Sequence, residues 1–338
     1  MNRRLPIYED RGRTYVADTC RPVVEAVRAG TLVMESFVHG HYPGKRLPRH
    51  ALRGVKSIGY WDAGEDQTWQ LAWHRNEGIE VTFVERGRLP FAVDEQSFEL
   101  QPYDLTVTRP WQLHRLGNER GIPAGRLHWL ILDVGVRRPD QAWRWPSWIM
   151  LAARDIERLT TLLRHNEYPV WRADRGILRC FQSIAETIAE RSPQEAESHL
   201  IVRINELFVL LLELLSRERP PLDASLSETR RSVELFLKDL QTQPQAKLRQ
   251  WTVRRMADQC GLGVTQFTRY CRMITNLTPA QYLNQVRLRA AADLLQHTDL
   301  PIYEVARRCG FRASQYFATV FRRRYGCSPR AYRRKYRL

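Results

Sequence analysis

The sequence predicts an α+β protein: an N-terminal β-barrel or sandwich, a helical segment, and a C-terminal all-α domain with two helix-turn-helix units. Three observations predict it. Short alternating apolar segments fill residues 30–135. A helical period replaces them from about residue 150. The last third then carries an internal repeat together with nearly all of the net charge.

Residues 79–85, 88–93, 104–108 and 126–133 are β-branched or aromatic, roughly alternating, and separated by Gly, Pro and Asp turns. That pattern suits a small antiparallel barrel or sandwich. Further on, Ile177, Phe181, Ile184 and Ile188 recur at helical spacing, as do Leu200, Ile204, Leu207, Phe208, Leu211 and Leu215. Arg219-Pro-Pro-Leu-Asp223 breaks the second of these helices and reads as a linker. The expected divisions are 1–149, a helical segment at 150–218, a linker at 219–227 and a helical domain at 228–338.

The chain of 338 residues has a formal net charge of +16. From Leu226 onward it carries 22 Lys and Arg against 7 Asp and Glu, a net of +15, so the rest is nearly neutral. A neutral body joined to a basic domain points to a polyanion partner, nucleic acid being the simplest; a solvated charged surface is the plain alternative. The six cysteines form no CxxC pair and no zinc-ligand spacing with histidine. Cys260, Cys271 and Cys309 fall on apolar helix faces, as expected of buried thiols in a reducing cytoplasm. The N-terminal residues have no signal-type apolar run, and the greasiest stretch, 207–215, is interrupted by Glu213 and too short to span a bilayer. A cytoplasmic protein without a membrane partner is expected.

The repeat is the strongest signal. Met256-Ala-Asp-Gln-Cys-Gly-Leu262 matches Val305-Ala-Arg-Arg-Cys-Gly-Phe311 at an offset of 49. After a one-residue difference in the turn, Phe267, Cys271, Asn276, Thr278-Pro279 and Tyr282 match Phe317, Phe321, Gly326, Ser328-Pro329 and Tyr332 at an offset of 50. Each copy has the parts of a helix-turn-helix. Ala257 and Ala306 let two helices cross closely, Gly261 and Gly310 permit the turn, and Leu262 and Phe311 plug the core. The second helix of each copy has an apolar face and a polar one: Thr265, Gln266, Thr268, Arg269 and Arg272 in the first; Ser314, Gln315, Ala318, Thr319 and Arg322 in the second. Such faces can reach base edges in a major groove. A long helix, about 279–296, joins the units. A helical bundle whose repeats merely pack is the plain alternative.

On these residues, 228–338 resembles the DNA-binding domain of the AraC/XylS family. The run from Pro301 to Phe311, Gln315-Tyr-Phe317, and Phe321-Arg-Arg-Arg-Tyr-Gly-Cys-Ser-Pro-Arg-Ala-Tyr332 are similar to the family signature nearly residue for residue. The resemblance implies a sequence-specific transcriptional regulator, not an enzyme, whose recognition helices enter successive major-groove segments of double-stranded DNA. It maps base-facing roles onto Thr265, Thr268 and Arg269, and onto Ser314, Gln315 and Thr319. The tail cations Arg330, Arg333, Arg334, Lys335 and Arg337 are expected at phosphates, positioning the domain and making binding salt-dependent. Two positions depart from the pattern: Thr319 stands where relatives can carry arginine, and Asn276 where glycine is usual, although Asn also tolerates a left-handed conformation.

The front segment with Trp73-His74, Glu80, Gly87, Pro102-Tyr-Asp104, Pro110 and His114 resembles the cupin barrel that precedes many AraC-type domains. Metal-binding cupins use a His-x-His pair, a Glu and a later His. Here Ala72 occupies the first His position and Glu80 is one residue late, leaving only His74, Glu80 and His114 as ligands. No metal or cofactor is expected. These groups fit either ordinary polar barrel positions or a pocket that hydrogen-bonds a small-molecule effector. Nine of the ten tryptophans lie between Trp61 and Trp171. Aromatic faces stack on sugars, so a carbohydrate effector against Trp61, Trp73 and Trp111 is one reading and core filling the other. The helix at 198–217 has a wide apolar stripe, which packs on its own domain or pairs with a second chain; the resemblance favours a homodimer. Ligand entry would then change DNA affinity or engagement of RNA polymerase. The alternative is a metal-dependent cupin enzyme fused to a DNA-binding module, against which Ala72 speaks.

Overall fold

The computed structural model describes residues 8–10, 13–15, 20–40, 42–94, 96–136, 140–242 and 248–336. Residues 1–7 and Arg337 of the basic tail lie outside them. The chain divides into two compact units, 1–227 and 228–338.

In the first unit a hairpin, β1 (Tyr8–Asp10) and β2 (Arg13–Tyr15), and helix α1 (Arg21–Ala29) precede the main sheets. Seven strands pair in the order β13 (Val170–Arg172), β10 (Asp104–Thr108), β7 (Ile79–Gly87), β12 (Gly125–Leu132), β5 (Val55–Ala63), β3 (Val33–Val38) and β4 (Lys45–Arg46). Four more pair as β6 (Leu71–His74), β11 (His114–Leu116), β8 (Leu89–Val93) and β9 (Gln96–Leu100). Among the described strands, only β3 and β4 pair in parallel. The side-chain period of two sorts each long strand. Trp61 of β5, Val84 of β7 and Leu127 of β12 join Leu71, Phe91 and Leu116 of the smaller sheet in one core, so the sheets face each other as a flattened barrel.

The opposite face of the large sheet is covered by α2 (Ala153–His165), α3 (Arg175–Glu190) and α4 (Glu197–Glu218). Ile58, Val81, Phe83 and Leu130 share a second core with Phe181, Ile184, Leu207 and Leu211. Phe83 stacks on Phe181 with ring centroids 5.4 Å apart. Gln182 of α3 donates to Glu85 of β7 at 2.8 Å. The helical segment is thus an outer layer of the barrel unit.

Residues 219–227 are more anchored than a free linker. Arg219 ends α4 in a left-handed conformation (φ 47°). The Asp223 amide donates to the His165 carbonyl at 2.7 Å, and Leu226 is buried. The prolines stop the helix as expected; the apolar Leu226 then keeps the segment on its own unit.

The second unit contains α5 (Thr229–Thr242), α6 (Val253–Gln259), α7 (Val264–Thr275), α8 (Pro279–His297), α9 (Ile302–Arg308), α10 (Ser314–Tyr325) and α11 (Pro329–Tyr336). Helix α8 starts with a reciprocal cap: Gln281 N–H donates to Thr278 Oγ1 at 3.3 Å, and Thr278 N–H to Gln281 Oε1 at 2.9 Å. Its first half packs with α5, α6 and α7 around Phe236, Met256, Ala257 and Phe267. Its second half packs with α9, α10 and α11 around Val305, Ala306, Phe317 and Phe321. Gly261 and Gly310 take φ of 69° and 89° at the two turns, values that an L side chain would strain.

Candidate nucleic-acid interface and barrel cavity

Each helix-turn-helix places its second helix with the apolar face on α8 and the polar face in solvent. On α7, Phe267 and Cys271 are buried; Thr265, Gln266, Arg269 and Arg272 are exposed and Thr268 half-buried. On α10, Phe317 and Phe321 are buried; Ser314, Gln315, Thr319 and Arg322 are exposed. The structure thus brings the nine expected helix residues onto two outward faces. The faces differ in detail. The Arg269 guanidinium lies 5.5 Å from the centroid of the Tyr270 ring, which supports it without burying it. Thr319 donates its hydroxyl to the Gln315 carbonyl at 3.0 Å, turning it back on its own helix.

Two elements hold these faces in register. Arg287 of α8 donates through Nη2 to the carbonyls of Leu248 and Trp251, at 3.0 and 2.9 Å, fixing the entry to α6. Tyr282 donates to the Leu237 carbonyl at 2.7 Å and accepts from Gln241 at the same distance, tying α5 to α8. In the tail, Arg334 is exposed. Arg333 departs from its expected role: it is half-buried and donates to the Leu300 carbonyl, bracing α11 on the loop before α9. The amphipathic turn of α11 that exposes Arg334 swings its neighbour inward.

The barrel holds a cavity of about 50 Å3 between the two sheets. Trp61, His74 and Glu80 line it, as the sequence reading expected. His114 stands behind Glu80, its Nε2 2.8 Å from Glu80 Oε2. Trp73 and Trp111 do not line it. Trp73 faces outward beneath Arg115, whose guanidinium lies 5.2 Å from its ring. Trp111, at φ 67°, donates its ring N–H to the Val136 carbonyl at 2.7 Å and packs toward the helix-side core. Strand parity fixes Trp61 but says little about a residue in a turn or on an edge strand. Trp129, Tyr42 and Asn76 complete the wall. Of these only Trp129 was legible, two residues from Leu127 on the same face of β12.

Burial sets the chemistry of the cavity's polar end. Glu80 accepts from Asn76 Nδ2 at 2.7 Å. Desolvation opposes its ionisation, but the His114 imidazole outweighs this and its carboxyl titrates below the usual range. His114 is likewise desolvated, yet its proximity to Glu80 raises its pKa. The ring Nδ1 atoms of His74 and His114 face the carbonyls of Ala72 and Gln112, at 2.7 and 2.9 Å. A carbonyl can only accept, so Nδ1 carries the proton in both rings, and His114 turns its Nε2 to Glu80. One ligand atom from each of His74, Glu80 and His114 lies within 4.8 Å of the others, a spacing that fits a metal ion held by two imidazoles and a carboxylate.

A helix-turn-helix domain family matches residues 256–335. The transcriptional activator RhaS of Escherichia coli O81 (strain ED1a) is 27% identical over 258 residues, covering 76% of this chain and 85% of RhaS. Among solved structures, an AraC-type DNA-binding-domain regulator from Chromobacterium violaceum is 23% identical, with a TM-score of 0.28, covering 30% of this chain and 92% of that one. Wild-type ToxT of Vibrio cholerae strain SCE256, bound to an unsaturated fatty acid, is 12% identical with a TM-score of 0.38, covering 85% of this chain and 97% of ToxT. Two outward polar helices on one capped scaffold define a DNA-binding transcriptional regulator. The signature at 301–332, the domain match and the RhaS likeness together support a regulator of the AraC/XylS type. Among the described residues, no helix is long and apolar enough to cross a membrane.

Proposed function

We propose that this regulator is a cytoplasmic homodimer that reads an operator with Thr265, Gln266, Thr268, Arg269 and Arg272 on α7 and Ser314, Gln315, Thr319 and Arg322 on α10. Arg334 meets a phosphate. The observation that carries the reading is the pair of exposed polar faces on the domain holding +15 of the chain's charge. Genomic footprinting tests it: protected sites should share two short motifs about one duplex turn apart. Protection without a shared motif would sink base readout.

The barrel senses a small molecule in the cavity bounded by Trp61, Trp129 and Glu80, and its binding changes DNA affinity or contact with RNA polymerase. A carbohydrate draws support from the two aromatic faces and the polar end. The cavity of about 50 Å3 is far below the roughly 300–1,000 Å3 of ligand pockets, so a sugar ring enters only if the sheets part. Tryptophan fluorescence titrated with a sugar panel decides this; a response only to another ligand class overturns it. Dimerisation through α4 draws support from Val202 and Val209, two exposed apolar side chains that share the outer face of the helix with Glu206 and Glu213. Sedimentation should give dimers at micromolar concentration.

A second reading makes the barrel a metal site, favoured by the convergence of His74, Glu80 and His114. Stoichiometric metal in the purified protein, lost in His114→Ala, supports it; metal-free protein that still responds to a ligand refutes it.

A further inference from the structure

We infer that the groove between the two helix-turn-helix units is a phosphodiester site, in which Arg249 and Arg312 clasp the DNA backbone between the two major-groove segments. The inference rests on reading α7 and α10 as recognition helices. The groove encloses about 970 Å3. One wall is the start of α6, at Thr252 and Val253; the other is the turn into α10, at Arg312 and Ala313; α8 forms the floor.

Four arginines line the groove, Arg249, Arg287, Arg307 and Arg312, and no carboxylate does. Two of them are engaged within the fold. Arg287 holds the Leu248 and Trp251 carbonyls, and Arg307 donates to Glu304 through Nε and Nη2, both at 2.7 Å. Arg249 and Arg312 are exposed and make no ion pair among the described residues. The pKa of Arg287 is lowered; burial is the main cause and the nearby Arg312 adds to it, so an anion in the groove would offset both.

The two outer arginines are held together by close packing. A Cβ on Gly310 would stand 2.9 Å from the Arg249 Cα, so the second unit's turn sits directly on the segment before α6. Asn284 of α8 donates to the Tyr316 hydroxyl at 3.0 Å and closes the same side. In helix-turn-helix proteins the first helix crosses the DNA backbone while the start of the recognition helix meets bases. This groove joins those two places from different units. Arg312 also precedes Ser314 and Gln315 by two and three residues, so an anion beside it borders the strand that α10 reads. A guanidinium fork matches phosphate oxygens.

The test uses the full chain, a duplex that it selects from a random library, and an unselected duplex of equal length. The double variant Arg249→Gln/Arg312→Gln should lose affinity for both duplexes by the same factor. Its salt slope should be shallower by about two, at ~0.9 per phosphate. Base preference should stay unchanged, and ethylation of phosphates between the two contacted segments should no longer interfere with binding. Arg269→Ala should instead lose preference and keep the ethylation pattern. If the double variant melts like the parent and keeps its salt slope and ethylation pattern while Arg269→Ala still shifts preference, the groove inference fails and the recognition reading stands. If the parent selects no sequence at all, both fail. A rise in melting temperature with millimolar inorganic phosphate or ATP, without DNA and absent from the double variant, would give the groove to a small anion and overturn the inference.

Discussion

Helices α7 and α10 bury the same two positions, Phe267 and Cys271 in one, Phe317 and Phe321 in the other, yet differ in what they show to solvent. The first presents Arg269 braced by Tyr270; at the corresponding place the second has Thr319, turned back on Gln315. The first is closed by Asn276 at φ 57°, the second by Gly326 at φ 75°. On the first helix of the second unit, Glu304 gathers Arg307 and Arg308; the same position in the first unit is Arg255. Packing constrains the cores to agree, whereas the surfaces diverge with the work each does. The first unit thus offers a free-standing guanidinium on its outward face, and the second a hydroxyl already bonded to its own helix.

The largest test addresses the shared core. Phe267→Ala and Phe317→Ala should each cost about 3–5 kcal/mol in denaturant unfolding of the full chain. Both rings are fully buried, the first against Phe236 at 6.2 Å and the second against Phe311 at 5.0 Å. A cost below 1 kcal/mol at either one would break the equivalence of the two cores.

Next comes the unequal surface. Arg269→Ala should cost roughly 1–3 kcal/mol on the selected duplex and relax preference there, while Thr319→Ala should cost under about 1 kcal/mol. Equal losses would mean that both units read sequence alike. Arg334→Ala should weaken binding to all duplexes together, with a salt slope smaller by about one. Arg333→Ala should lower the melting temperature instead, because it removes the Leu300 contact.

The caps give a smaller effect of opposite sign. Gly326→Ala should destabilise by about 1 kcal/mol, since its left-handed backbone disfavours a Cβ; Asn276→Gly should stabilise by at most about 1 kcal/mol. The smallest effect is acid sensitivity. Hydrogen bonds from Arg307 and Arg308 pull the Glu304 carboxyl down to about 2. A depressed carboxylate contributes stability above its unfolded pKa and loses it as pH falls through the folded value. Melting curves of the parent and Glu304→Gln should therefore differ at pH 5 and converge toward pH 2, and no such difference should arise from Arg255→Gln.

How far the sequence reached depended on the kind of order each residue obeys. The strands 79–87 and 104–108 and both helix-turn-helix units were legible because periods of two and 3.6, glycine turns and proline starts are local properties. The convergence of His74, Glu80 and His114 followed from the barrel resemblance. Trp111 was misplaced because its side depends on a left-handed turn that its neighbours do not announce, and Trp73 because it lies on a short strand of the smaller sheet. Arg333 was read by charge, yet its direction depends on where the distant Leu300 carbonyl lies. The covering of the large sheet by α3 and α4 is long-range pairing, invisible to local pattern.

Helix α8 has 19 residues, about 28 Å at 1.5 Å per residue, and both reading helices are packed on it. Its length is close to the ~34 Å of one duplex turn, so the angular phase of the two reads is set by covalent geometry. Insertion of five base pairs between the two motifs would rotate one of them to the far side of the duplex, and α8 offers no joint to follow it. Such an insertion should cost nearly all the affinity of one unit, whereas a changed letter costs only its own contact. Operators recognised by this protein can therefore drift in spelling while their metre stays fixed.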